Sequence, residues 1–341
     1  MGASSYAAVT PARNEEENLR RLADSLLAQT VLPARWVIVE NGSTDGTAEL
    51  AAGLAAAHPW IRLLQTEGSD GYDRTSPYMR AWHAGVDGLE GAGDVVVKLD
   101  ADVSFAPDFF AGILSAFAED DRLGIASGSC HEFHDGAWRE WILPGDAVWG
   151  PTRSYRRACL DVVLPLDDSV GYAAIDVTKA HLAGFRVRNL RHLPFRHHRV
   201  EGTGEGSKWR AWLGEGVAAH YVGYRPLFVL GRCIYRLRKD PAAAALVVGY
   251  LGSLLRRAPV LDEPAVRAAR ARARPRAVAR GLAPSPPLRH RVAGLQPVRH
   301  RRAVGRAQVA GVPEDLRDER VAVEVAVLAR RAEGADREAV Q

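Results

Sequence analysis

Short apolar runs alternate with amphipathic stretches through the first half of the chain, in the rhythm of successive β-α-β units. SYAAVT reads as a strand, and NEEENLRRLADSLLAQ as a helix with Leu19, Leu22, Leu26 and Leu27 on one side. WVIVE is a second strand, GTAELAAGLAAAH a second helix and IRLLQ a third strand, before a glycine-bearing loop and a helix around PYMRAWHAGVDGL. DVVVKLD is the clearest buried strand, followed by a helix over PDFFAGILSAFAE and a strand over LGIASGS. The pattern predicts an α/β fold with a mostly parallel sheet covered by helices. Ligands of such a sheet lie beyond the carboxyl ends of its strands.

The pattern breaks near residue 250. From Leu251 to Gln341 there is no Phe, Tyr, Trp, Ile, Met, Thr, Asn or Lys, and stretches such as ARARPRAVARGLAPSPPLRHR carry neither a helical stripe nor a strand alternation. A boundary is expected near Pro264, with an Ala/Arg-rich, low-complexity tail over 264–341 that is disordered or forms isolated helix. The charge follows the same division. The net +4 of the 341 residues hides a tail, 265–341, with 17 arginines against 8 acids, so residues 1–264 are net negative by five. Ala, Arg, Val, Gly and Pro are what GC-rich DNA yields in almost any frame, so the tail reads either as a frameshift product or as a genuine basic extension.

Three cysteines, Cys130, Cys159 and Cys233, stand far apart without a CxxC pair, which argues against a zinc site or a disulfide framework. The opening MGASSYAAVTPARNEEEN has no basic segment followed by an apolar one, and its charges arrive too soon for a membrane span. A cytoplasmic location is the expectation.

Polar groups cluster where the strands end. Pro11, Ala12, Arg13, Asn14, Glu15 and Glu16 follow the first strand, and Glu40-Asn41-Gly42-Ser43-Thr44-Asp45-Gly46 follows the second. Taken singly, Asn14, Ser43, Thr44 and Asp45 are residues that cap helices and shape turns. The fourth strand then runs directly into Asp100-Ala101-Asp102. Carboxylates at i and i+2 on extended chain share a face and meet a divalent cation or a ribose there, and a bound metal reverses the sign of their repulsion.

In this order and spacing the chain resembles the family 2 glycosyltransferases, inverting enzymes of the GT-A fold with a Rossmann-like sheet. PARNEEENL is similar to that family's PxYNEE opening, VENGSTDGT to its VDDGSTDGT nucleotide turn and LDAD to its DxD. The resemblance runs over roughly residues 5–260. GPTRSYRRACL resembles the stretch lining the sugar and acceptor site, and GYAAIDVTKAHLAGFRV the ED-motif helix, with Ile175 where glutamate is usual and Asp176 at the aspartate. FRHHR resembles the place of a late metal-binding histidine. Glu40-Asn41 replaces the usual two aspartates of the nucleotide turn, and the missing glutamate beside Asp176 removes a like charge, easing its ionisation.

The resemblance implies a donor UDP-, GDP- or dTDP-sugar and a hydroxyl acceptor on a glycan or a lipid-linked carrier. Asp102, helped by His197 or His198, would hold Mn²⁺ or Mg²⁺, with Asp100 reaching the ribose or sharing the cation. Pro11, Arg13, Asn14, Glu40 and Asn41 would surround the nucleoside, and Arg74 or Arg153 would approach the phosphates. Asp176 would be the general base. The nucleotide-sugar transferase domain is expected over 1–205.

The following segment, 206–263, is apolar, broken by Pro226 and Pro241, and studded with arginines. Its runs fall short of the ~20 residues of a spanning helix. It suits a helix lying in a membrane interface, or equally helices packed on the catalytic domain. Two other functions compete: a nucleotidyltransferase, which would show a glycine-rich, lysine-bearing loop after the first strand that PARNEEEN lacks, and a nucleic-acid-binding protein anchored by the basic tail. That tail has no aromatic residue to stack on bases, so nucleic acid is the weaker partner.

Overall fold

A computed structural model describes residues 4–66, 76–134, 136–143, 147–166, 172–199, 208–238 and 240–271. The nine elements expected up to residue 129 are present in order. They are β1 (Tyr6–Ala12), α1 (Glu16–Leu27), β2 (Arg35–Glu40), α2 (Thr47–Ala57), β3 (Ile61–Gln65), α3 (Ser76–Gly88), β4 (Val95–Leu99), α4 (Phe109–Glu119) and β6 (Leu123–His134). A short strand, β5 (Val103–Phe105), interposes between β4 and α4. Beyond β6 come β7 (Ala137–Trp141), β8 (Thr152–Arg156), α5 (Arg157–Val163), α6 (Tyr172–Leu182) and β9 (Arg186–His197).

The strands form one sheet in the order β3-β2-β1-β4-β8-β6-β9-β5, with β7 beside β6. β3, β2, β1 and β4 are parallel, so their carboxyl ends lie along one edge. The other half is mixed: β8 runs antiparallel to β4 and β6, β9 parallel to β6, and β5 antiparallel to β9.

Both faces of the sheet are buried, because alternate residues of each strand serve opposite cores. Tyr6, Ala8, Trp36, Ile38, Val95 and Val97 pack under α1 and α4, and the Tyr6 ring stacks on Phe110 at 4.2 Å. Ala7, Val9, Val37, Val39 and Val96 pack under α3 and α5, against Trp82, Leu160 and Val163. Helix α1 buries Leu19, Leu22, Ala23 and Leu26, while Leu27 is turned outward, because the 100° step between neighbours carries it off the stripe.

The C-terminal segment is helical and packed: α7 (Lys208–Tyr221), α8 (Pro226–Leu237), a 3-10 turn over Pro241–Ala244 and α9 (Ala245–Leu255). α7 and α9 approach closely because glycines face backbone there. A Cβ on Gly216 would lie 2.1 Å from the Leu246 carbonyl oxygen, and one on Gly249 would lie 2.2 Å from that of Leu213. A further helix, α10 (Pro264–Ala271), starts at the boundary expected near Pro264. Its Val266 is buried with Ile175, Val222 and Leu261, and Arg270 bonds the Ala174 carbonyl and the Tyr224 hydroxyl. Packing therefore continues at least to Ala271; the rest of the expected tail lies outside the described residues.

Candidate active site

The carboxyl ends of β1 and β2 are knitted into one loop pair. Asn14 sits in the left-handed region (φ 53°), its amide N–H donates to Ser43 Oγ at 3.1 Å, and its side-chain oxygen accepts from the Thr44 amide at 2.7 Å. Asp45 accepts from Thr47 N–H at 3.0 Å and Glu16 N–H at 3.3 Å. Asn14, Ser43, Thr44 and Asp45 thus shape the turn, and Asn14, expected against the nucleoside, is occupied by its neighbour loop. Glu40 is buried, and its Oε1 accepts the Ser43 amide at 2.5 Å. Asn41, also buried, receives the Thr66 hydroxyl at 3.0 Å, and its backbone N–H donates to Ala12. Pro11 is buried within β1 and Arg13 is half-buried at its end. Arg74 lies outside the described residues.

The two aspartates after β4 diverge. The strand ends at Leu99, so the extended geometry that would keep them on one face stops short of Asp102. Asp100 turns toward α3, with Lys98 Nζ at 2.7 Å and the Tyr78 hydroxyl at 2.5 Å, and the Lys98 ammonium lies 4.8 Å over the Tyr78 ring. Burial pushes the Asp100 carboxyl up, but the Lys98 charge and the two hydrogen bonds outweigh it and hold it below the usual carboxylate range. Lysine in an otherwise apolar strand was the legible sign that β4 carries a counter-charge.

Asp102 faces the other way, into the end of β9. The antiparallel register pairs Val103 with His197, which brings the preceding aspartate alongside the imidazole. His197 Nε2 lies 3.4 Å from Asp102 Oδ1, and its Nδ1 lies 3.3 Å from Glu132 Oε1. Glu132 is fully buried on β6, where its other oxygen meets His134 Nε2 at 3.0 Å. Cys130, Glu132 and His197 have ligating atoms within 4.8 Å of one another. Burial opposes a charge on His197, yet its bonds to Asp102, Cys130 and Glu132 push the imidazole up to about 12.

His198 is turned elsewhere. Its Nε2 lies 2.7 Å from Ser104 Oγ, its ring stands edge-on to Trp138 at 5.3 Å, and burial together with Arg21 pushes it down to about 3. Adjacent residues at a strand end point to opposite sides, and of the two imidazoles it is that of His197 that meets the Asp102 carboxylate, while His198 bonds the Asp102 carbonyl through its backbone N–H. Arg199 spans from Glu15 to Asp102, with its Nε 3.6 Å from Asp102 Oδ2. The parts that Cys130, Glu132 and Arg199 play here were not legible in sequence, because Cys130 and Glu132 come from another strand and nothing beside Arg199 in the chain shows its partners, although the CHEFH run placed a carboxylate between histidines.

Asp176, expected as the general base, and Arg153, expected near the phosphates, bind each other. Arg153 Nη1 lies 2.9 and 2.6 Å from the two Asp176 oxygens, the Tyr155 hydroxyl donates to one of them at 2.6 Å, and the Val177 amide to the other at 2.6 Å. Arg153 also donates to the carbonyls of Val148 and Ala173. Asp176 is 1% and Arg153 2% exposed. Arg153, expected near the phosphates, is thus the partner of Asp176 in this structure. In this structure the carboxylate expected as the general base is enclosed by Arg153 and Tyr155.

Nucleotide-turn residues and an aspartate-histidine pair, gathered on the edge of a Rossmann-like sheet extended by a mixed half, define a glycosyltransferase of the GT-A class. A solved structure of GalNAc-T7 with UDP, GalNAc and Mn²⁺ shares the fold at a TM-score of 0.52, with 14% identity over 73% of this chain and 54% of that one. The family model "Glycosyl transferase family 2" matches residues 7–161. Polyprenol monophosphomannose synthase of Mycolicibacterium smegmatis is 30% identical over 203 residues, covering 52% of this chain and 73% of that protein. Undecaprenyl-phosphate 4-deoxy-4-formamido-L-arabinose transferase of Pectobacterium carotovorum is 34% identical over 103 residues, 29% of each chain. The chain belongs to glycosyltransferase family 2, and it is an enzyme of sugar transfer.

Proposed function

We propose that the chain moves a sugar, with inversion, from a nucleotide-diphosphate donor to the phosphate of a polyprenyl-phosphate carrier. The observation that carries this reading is the pairing of Asp102 with His197 beside the nucleotide turn, at the edge where parallel strands present their ligands. The donor set of one carboxylate and one imidazole fits a divalent cation, and the imidazole favours Mn²⁺ over Mg²⁺. When bound, such a cation neutralises the charge that grows on the leaving diphosphate.

The protein's own groups do the rest. Glu132 accepts a hydrogen bond from the Nδ1–H of His197, which leaves Nε2 turned to the Asp102 side. Asp100, anchored by Lys98 and Tyr78, borders the donor from the α3 side. The loop pair of Asn14, Ser43 and Thr44 keeps Glu40 and Asn41 at the nucleoside end.

The closed Asp176 pair bears on the acceptor. A hydroxyl needs a base to take its proton, whereas a phosphate monoester carries its own oxyanion at neutral pH, its second pKa being about 6. Two of the curated relatives, those described above, are named for polyprenol- or undecaprenyl-phosphate chemistry, which supports the same choice. The test is to incubate the protein and Mn²⁺ with UDP-, GDP- and dTDP-sugars and short-chain polyprenyl phosphate, then follow organic-soluble label. Transfer that Asp102→Ala abolishes is expected. Turnover on polyprenol but not on polyprenyl phosphate would overturn the acceptor assignment.

A further inference from the structure

Helices α8 and α9 are apolar on both sides. Inward, Val229 and Cys233 of α8 pack against Leu246 and Tyr250 of α9 and Ala219 of α7, which accounts for one stripe. Outward, α8 exposes Leu227, Leu230 and Ile234, and α9 exposes Leu251, Leu254 and Leu255. Leu227 is 76% and Leu255 83% exposed, far beyond the partial burial usual at a helix edge.

Two contacts fix how the helices run. The Cys233 thiol meets the Ala243 carbonyl at one end of the pair, and the Tyr250 hydroxyl donates to the Tyr224 carbonyl at 2.7 Å at the other. The helices are therefore antiparallel, so the start of α8 and the end of α9 come to the same end of the bundle. That end collects Leu227, Leu230, Leu254 and Leu255 together with Arg225, Arg256 and Arg257, all three of which are exposed.

The charge around this end is one-sided. Residues 208–264 hold nine basic and four acidic side chains, whereas residues 1–207 hold 19 basic and 29 acidic. Of the four acids, Glu215 pairs with Arg232, Glu263 with Lys179, and Asp240 takes the Trp212 indole N–H, leaving Asp262 exposed. Leucines standing out of a basic unit, on an otherwise acidic body, match an apolar layer lying beneath anionic groups.

We propose that the α8–α9 end docks on the surface of an anionic lipid bilayer, with Leu227, Leu230, Leu254 and Leu255 entering the acyl boundary and Arg225, Arg256 and Arg257 at headgroup level. Among the described residues no helix is long and apolar enough to cross a membrane, so the geometry is that of a unit lying on the bilayer. The inference goes beyond sugar transfer and does not depend on the acceptor assigned above.

The experiment is flotation of the full chain with vesicles of 30% phosphatidylglycerol in phosphatidylcholine, at low and high salt, beside vesicles of pure phosphatidylcholine. Binding to the anionic vesicles is expected, weakened by salt, since each arginine near such a surface is worth roughly fivefold. Leu227→Ser with Leu255→Ser should weaken it tenfold or more while leaving the melting temperature and donor-nucleotide binding unchanged, because both side chains already face solvent. Full binding by that double variant would overturn the proposal and point to the basic tail as the anchor. Absence of vesicle binding, with a dimer that the double variant disperses, would overturn it in favour of self-association.

Discussion

Replacing Asp176 by asparagine separates a structural carboxylate from a catalytic one. Asparagine fits the space and keeps one acceptor oxygen, but its NH₂ now confronts a donor where the second oxygen received one. Arg153, 2% exposed, keeps its bonds to the carbonyls of Val148 and Ala173 and loses the charge that both oxygens held at 2.6 and 2.9 Å. Breaking a buried ion pair from one side costs about 3–5 kcal/mol, because the remaining charge stays desolvated. At roughly 2 °C per kcal/mol for a domain of this size, Asp176→Asn should melt about 6–10 °C lower. Calorimetry of the variant beside wild type reads this directly. The double change Arg153→Met with Asp176→Leu, which removes both charges, should recover much of the loss. A variant that melts within a degree of wild type, binds donor normally and loses ~10²-fold or more in turnover would refute the reasoning and restore Asp176 as the base.

Glu132→Gln should weaken Mn²⁺ binding, read by titration calorimetry, about 10–100-fold with little change in fold, since the glutamine amide leaves the His197 tautomer unfixed; unaltered affinity would show that Glu132 does not orient the ligand. Asp94 accepts from the amides of Ser4 and Ser5 and from their hydroxyls, and these bonds, the Ser4 amide first, hold its carboxyl below the usual range. Its contribution is therefore full above the unfolded value of about 3.9 and fades as pH falls through the lower folded value, so Asp94→Asn should flatten the acid limb of a urea-midpoint profile between about pH 5 and 3. A chain ending at Glu263 should be less stable by about 1.5–3 kcal/mol than one ending at Ala271, the worth of burying Val266. Equal melting temperatures would return the boundary to Pro264.

Periodicity carried most of the first domain's secondary structure, because β1 to β4 and their helices are each buried along a regular stripe that the chain writes locally. The same holds for the order of the strand-end motifs: parallel strands must present PARNEEE, VENGSTD and LDAD on one edge, whatever follows. Exposed or short elements were less legible. β5 has three residues and β7 alternates polar side chains at a sheet margin, so neither shows an apolar run.

Partnership was decided by tertiary structure alone. Sequence placed Asp100 and Asp102 together, yet Lys98 and Tyr78 claim the first while the β5–β9 register delivers His197 to the second. Arg153 and Asp176 are 23 residues apart and each read as a ligand of something else, but burial leaves a charge no affordable course except to meet its opposite. His197 and His198 are indistinguishable in the string FRHHR, and the strand's alternation sends one to Asp102 and the other to Ser104. A chain specifies its local stripes residue by residue; which buried charges face each other depends on distances that exist only once the sheet has closed.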